Sequence, residues 1–171
     1  MKYRGLGLSQ TEKVFDVFKP FLLKEKFKRI IEFGTGGGGL TLFLEDVTDC
    51  DIYTFDTVKR IKNINLFENV VFTYNDIFNK NLFNNIVNLI KMNGRVLLLC
   101  DNGNKIKEVN TFSKYLKKDD VIMAHDYFYN KHDKNLWGSC EIMEKDVNTE
   151  SLKPFYNKEF ESIFWMSKIK I

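Results

Sequence analysis

Apolar residues recur along the chain in short blocks, and the changing spacing between them marks out alternating helices and strands. Val14, Phe18, Phe21 and Leu22 share one helical face behind a Ser9/Glu12 pair with capping-box spacing, and Pro20 is expected to end or kink that helix. A first strand is predicted near Arg29 to Phe33, then a helix over Leu40 to Val47 and strands over Ile52 to Phe55 and Val70 to Tyr74. Leu82 to Ile90, apolar at 82, 86 and 90, reads as helix. Val96 to Cys100 is a continuous apolar run, the pattern of a central parallel strand covered on both faces. Ile106, Val109, Phe112 and Leu116 give a further helical stripe, and Val121 to Ala124 a further buried strand. Leu136, Cys140, Met143 and Val147 stand at helical spacing, and the alternation through Ile163, Trp165, Ile169 and Ile171 predicts a terminal strand.

Such alternation implies right-handed crossovers and an α/β fold: a doubly wound, mostly parallel open sheet flanked by helices, in one domain over residues 1–171. In such sheets ligands bind beyond the carboxyl ends of the strands. The polar residues of interest fall there: Glu32 with the glycines behind it, Asp56, Asp76, Asp101, and the pair His125-Asp126.

Composition narrows the function classes. With 171 residues, 44% of them hydrophobic and 16 of them Phe, the chain can bury a self-sufficient core. The three cysteines, Cys50, Cys100 and Cys140, are too far apart for a CxxC metal site and odd in number, so a reducing cytoplasm is expected. The start, MKYRGLGLSQTEK, has no apolar stretch of signal-peptide length, and no stretch approaches a membrane span, so no membrane association is expected. The net charge is only +3, carried by 22 Lys against 4 Arg. Arginine is the side chain suited to bidentate phosphate and base contacts, so no specific nucleic-acid surface is expected.

Residues 34–39 hold five glycines in six positions, between a predicted buried strand and a predicted helix. Gly34, Gly36 and Gly39 satisfy the dinucleotide pattern GxGxxG, and Asp56 lies about 20 residues on, where a carboxylate binds a ribose diol. NAD must therefore be weighed. Against it stands Glu32, whose carboxylate would repel a pyrophosphate, whereas a ligand cationic at that end suits it. At this point the sequence resembles the class I S-adenosylmethionine-dependent methyltransferases, whose first motif is an acidic residue followed by Gly-x-Gly-x-Gly, here Glu32, Gly34, Gly36 and Gly38, with Thr35 inside the turn. The resemblance extends from the first strand through His125-Asp126. It implies that Asp56, closing strand two, binds the ribose hydroxyls and that Asp76 with Ile77, after strand three, flanks the adenine.

A second constellation joins Asp101-Asn102-Gly103-Asn104-Lys105 to Ala124-His125-Asp126-Tyr127, on strands expected to be neighbours. Asp101, His125 and Asp126 could hold a hard divalent cation such as Mg, or His125 could serve as a general base oriented by a carboxylate. Metal-dependent O-methyltransferases of the catechol type and cephalosporin hydroxylase-like proteins are similar here. The former carry an asparagine where this chain has Tyr127, and the latter an acidic pair where it has His125-Asp126. His132 reads as a solvated loop histidine, and Tyr127 and Trp137 as core aromatics or a substrate cover. Substrate choice is expected to lie in segment 127–160, the least regular stretch.

The expectation is a methyltransferase acting on an oxygen, less readily a nitrogen, of a small-molecule acceptor, with Asp101, His125 and Asp126 catalytic. The short chain leaves room for a homo-oligomer to complete the site. An NAD-linked oxidoreductase and a non-catalytic nucleotide-binding module are the rival classes.

Overall fold

The computed structural model describes residues 1–128, 142–148 and 150–171. A hairpin of β1 (Lys2–Tyr3) and β2 (Leu6–Gly7) precedes helix α1 (Val14–Glu25). Then follow β3 (Arg29–Phe33), α2 (Gly39–Val47), β4 (Asp51–Asp56), β5 (Val70–Tyr74), α3 (Lys80–Lys91), β6 (Val96–Cys100), α4 (Lys105–Phe112) and β7 (Val121–His125). The final elements are β8 (Tyr127–Phe128), β9 (Ile142–Met143), β10 (Leu152–Pro154), α5 (Asn157–Glu161) and β11 (Trp165–Lys170).

The main sheet has seven strands in the order β10-β11-β7-β6-β3-β4-β5. From β7 to β5 neighbouring strands are parallel, while β11 inserts antiparallel between β7 and β10, pairing Trp165 with His125. The doubly wound, mostly parallel α/β expectation therefore holds. The chain reverses its direction of travel across the sheet between β3 and β6, which puts the ligand crevice at their carboxyl ends.

Strands β3, β6 and β7 are buried along their whole length, because each is covered on both faces. One face packs Val14, Phe18, Phe21 and Leu22 of α1 with Leu40, Phe43 and Leu44 of α2. The other packs Ile86, Val87 and Ile90 of α3 with Val109 and Phe112 of α4.

Several local expectations are corrected. The Ser9/Glu12 capping box does not form; α1 starts at Val14 with Lys13 at its N-cap and no side-chain cap. Pro20 lies inside α1, which runs on to Glu25, so the missing N–H is tolerated within an otherwise packed helix. The crossover from β4 to β5 carries only a short 3₁₀ turn, Ile64–Leu66. In the stripe read for α4, Ile106 is exposed and Leu116 lies past the helix, while Lys105 and Glu108 are buried instead. Met143 belongs to β9 and Val147 follows a 3₁₀ turn, so neither extends a helix. Leu136, Cys140, His132 and Trp137 lie outside the described residues.

Candidate functional site

The glycine turn is fixed where three strand ends meet. The Gly34 amide donates to the Phe55 carbonyl at 2.7 Å, and the Asp101 amide donates to the Phe33 carbonyl at 2.9 Å. Gly34 has φ +96°, and a Cβ there would sit 2.2 Å from the Asp101 carbonyl oxygen, so no other residue fits. Gly36, at φ +55°, has nothing within 4 Å of a Cβ position and lines an open cleft. Its amide donates to Asp56 Oδ2 at 2.9 Å.

Glu32 lies beneath this turn with 1% of its surface exposed. Its Oε2 accepts from the Thr41 and Thr54 hydroxyls, both at 2.6 Å. With the Thr54 proton so used, Thr35 Oγ1, 2.6 Å away, donates to Thr54, which ties the turn to β4 and α2. Burial pushes the Glu32 carboxyl up to about 7, the two threonines oppose that, and nearby Asp101 and Asp56 add to it. Its Oε1 has no partner among the described residues. Glu32 thus organises the turn from below, while Gly34, Thr35, Gly36 and Gly37 line the cleft above it.

Asp56 closes β4 with 3% exposure and also accepts the Val58 amide at 3.0 Å. Arg60, a 58% exposed side chain, reaches to 3.7 Å from Asp56 Oδ2 and lines the same cleft. Asp76 follows β5, exposed, with its Oδ1 taking the Phe78 amide at 2.9 Å in a local turn. Ile77 is buried in the core. Both stand at the carboxyl edge of the sheet one strand beyond Asp56, and neither lines the cleft around Gly36.

Asp101, His125 and Asp126 do come together, from the ends of the adjacent strands β6 and β7. His125 Nδ1 is 3.1 Å from Asp101 Oδ1 and 3.4 Å from Asp126 Oδ1. The imidazole packs on the Trp165 ring, 5.1 Å between centroids, and Asp126 takes a left-handed φ of +55°. Two further residues complete the cluster: Gln10, which the sequence did not mark, and Lys105, which stands in the constellation read from the sequence but was given no role there. Gln10 donates to Asp101 Oδ2 at 2.9 Å and accepts from Trp165 Nε1 at 3.0 Å. Lys105, 5% exposed at the start of α4, places Nζ 3.2 Å from Asp126 Oδ2 and 3.5 Å from Asp101 Oδ1. The Asp101/Lys105 spacing of four was the sequence signal for the second; nothing marked the first.

Beside Lys105, the buried Glu108 carboxylate accepts the Asn102 and Asn104 amides and so braces the loop from β6 to α4. Burial raises its carboxyl to about 7, against those two amide bonds and the Lys105 charge. Tyr127 is a core residue whose hydroxyl donates to Glu144 at 2.5 Å, and Glu144 also takes the buried Lys168 ammonium at 2.7 Å.

Two cavities flank the cluster and share Leu8, Ser9 and Gln10 as their common wall. The first, about 290 Å³, is walled by the glycine turn, Asp56, Arg60 and Asp101. The second, about 550 Å³, is lined by Met1, Leu8, Phe128 and Phe164 with His125 and Asp126 at one end. The first suits a polar ligand with a cationic part, since its described lining holds two carboxylates against one guanidinium. The open face of Gly36 and the nearly buried Asp56 carboxylate fit the ribose end of S-adenosylmethionine.

A divalent metal fits less well. The ligand atoms of Asp101, His125 and Asp126 lie within 4.8 Å of one another. An ion about 2.1 Å from Asp126 Oδ2 would nevertheless stand within about 5.3 Å of the Lys105 ammonium, a repulsion of about 6 kcal/mol at an effective dielectric of about 20.

No protein-family model matches the sequence, and no curated protein does. Among solved structures, an apo form of CmcI superposes with a TM-score of 0.77 over 100% of this chain and 76% of its own, at 14% identity. CmcI in a form with Mg-SAM gives 0.76 over the same shares, also at 14% identity. A caffeoyl-CoA O-methyltransferase-like protein from Staphylococcus aureus gives 0.63 at 13% identity, covering 97% of this chain and 86% of its own. These likenesses, over nearly the whole chain and at 13–14% identity, show that the chain has the fold of the class I S-adenosylmethionine-dependent methyltransferases.

Proposed function

We propose that the protein is a methyltransferase that binds S-adenosylmethionine against the glycine turn and methylates a hydroxyl oxygen of a small acceptor held in the second cavity. The observation that carries this reading is the arrangement of two cavities on either side of one wall, with a histidine and two carboxylates at their junction. The likeness to CmcI and to O-methyltransferase-like structures supports the choice of methyl transfer and of oxygen.

S-adenosylmethionine, when bound, supplies a methyl group on a sulfonium whose charge disappears on transfer. The chain's own residues align and deprotonate the acceptor. Asp56 holds the ribose hydroxyls, and the Gly36 and Gly37 backbone lets the cofactor approach closely. Asp76, exposed after β5, would stand on the adenine side of the same sheet edge, with Ile77 packed in the core behind it. Asp101 accepts from His125 Nδ1, which leaves Nε2 as the acceptor for the proton of the attacking hydroxyl. Leu8, Ser9 and Gln10 border both cavities, and the acceptor hydroxyl and the sulfonium methyl would meet in line where Asp101 of the first cavity adjoins His125 and Asp126 of the second. The apolar lining of Met1, Leu8, Phe128 and Phe164 selects an acceptor with a hydrophobic or aromatic body.

No helix among the described residues is long and apolar enough to cross a membrane. A cytoplasmic setting is supported by Cys50 and Cys100, both buried as free thiols.

Calorimetry with S-adenosylmethionine, S-adenosylhomocysteine and NAD tests the reading directly. Binding of the two sulfur compounds with no NAD binding is expected. NAD binding without either sulfur compound would replace this reading with the oxidoreductase class.

A further inference from the structure

The junction between the two cavities already contains a cation supplied by the chain. Lys105 is one of the few lysines withdrawn from solvent, with 5% exposure. Its ammonium lies 3.2 Å from Asp126 Oδ2 and 3.5 Å from Asp101 Oδ1, and donates to the Asn102 carbonyl at 3.2 Å. These carboxylates are the same two that would have to serve a metal. The position is built rather than incidental. Lys105 is the first residue of α4, and Asn104 at its N-cap accepts the Lys107 amide at 3.0 Å. Glu108, one turn on, holds the Asn102 and Asn104 amides and fixes the loop that carries Asp101 toward Lys105.

We infer that Lys105 is the resident cation of this site: its ammonium holds Asp101 and Asp126 in the place of a divalent metal, so that the junction binds no divalent ion. Lys105 acts as a positioning residue, keeping both carboxylates spaced for His125. The assignment rests on the functional reading above only for the identity of the reaction; the metal-binding claim stands on the side-chain geometry alone. Charge arithmetic favours it. One ammonium against two carboxylates leaves a single net negative charge for the site, whereas a divalent ion added beside the ammonium would overshoot neutrality and face a fixed like charge. A lysine point charge is also well matched to the task, because it offers three donors to separate oxygens rather than one planar fork.

The test is a titration with Mn²⁺ followed by the loss of the free-ion EPR signal, made on the wild-type chain, Lys105→Met, Lys105→Ala and Asp126→Asn. Circular dichroism confirms the fold of each. The wild type is expected to show no site tighter than about 1 mM, and the lysine variants to gain one at least tenfold tighter that a second change, Asp126→Asn, removes. Lys105→Met keeps the apolar stem and guards against collapse of the Ala variant. Wild-type Mn²⁺ binding that disappears in Asp126→Asn would overturn the assignment, as would folded lysine variants with no gain. Should both lysine variants unfold, the wild-type titration against Asp126→Asn decides alone. Calorimetry with S-adenosylmethionine on the same samples separates the two readings: absent cofactor binding removes the reaction but leaves the metal result standing.

Discussion

Replacing Gly34 by alanine isolates the contact on which the whole crevice is built. The new Cβ would lie 2.2 Å from the Asp101 carbonyl oxygen and 2.6 Å from its carbon, where real Cβ atoms keep at least 3.0 Å. The ends of β3 and β6 must therefore part by about 1 Å, which strains packed strands by about 1–3 kcal/mol. The Asp101 amide bond to Phe33, 2.9 Å long, weakens at a net cost of about 1 kcal/mol. The left-handed φ of +96° adds about 1–2 kcal/mol for any side chain. Together these give about 4 kcal/mol, or a fall of roughly 10 °C in melting temperature for a chain of this size. Gly36→Ala, at φ +55° with open space around it, should lose about 1 kcal/mol. Gly103→Ala, with nothing within 4 Å and no left-handed φ, should stay within about 0.5 kcal/mol of wild type. Denaturant melts of the three variants read this series. A Gly34→Ala protein that melts with Gly103→Ala would refute the close approach of β3 to β6.

Glu32→Gln should change the pH dependence of stability. Burial holds this carboxyl at about 7 in the fold against an ordinary 4.5, so its penalty is absent below about 4.5 and complete above about 7. The cofactor-free Gln variant should therefore gain about 3 kcal/mol on wild type as pH rises across that window, measured by urea unfolding; a constant difference would show that Glu32 titrates normally. Asp56→Asn keeps an acceptor for the Gly36 amide but loses the charge, and should weaken S-adenosylmethionine by roughly tenfold or more in calorimetry. Asp126→Ala should abolish methyl transfer while cofactor affinity stays nearly intact, and a fully active variant would remove Asp126 from the mechanism. Gln10→Ala removes the bridge between Trp165 and Asp101, and should cost about 1 kcal/mol of stability. It should also lower turnover more than cofactor affinity, as read by steady-state kinetics beside calorimetry.

The strands were the most legible part of the chain. Val96–Cys100 begins and ends where its apolar run does, because double coverage leaves no polar position inside it; Val70–Tyr74, the half-exposed edge strand, follows its run of β-branched and aromatic residues. The acidic residues at strand ends were legible for the same reason, since the run of apolar residues stops where the crevice starts. What stayed hidden depends on distant parts of the chain. Gln10 matters only because Asp101 and Trp165, one of them 155 residues away, converge on it. Lys105 and Glu108 were passed over in favour of Ile106, since a helical stripe is read as burying apolar residues. Here a polar junction is buried instead, and Asp126 of a different strand end supplies the partner that makes it affordable.

The antiparallel insertion of β11 has a consequence for how the molecule is made. Strand β7, which carries His125, emerges from synthesis some forty residues before the strand that will cover its outer side. Until Trp165–Lys170 arrives, the nascent sheet ends in Val121–His125, an apolar edge with unpaired amides and carbonyls, the kind of template that recruits other chains. Strand β11 therefore closes the exposed edge of β7, and any lesion that delays or removes it should appear first as aggregation during expression and only second as lost activity.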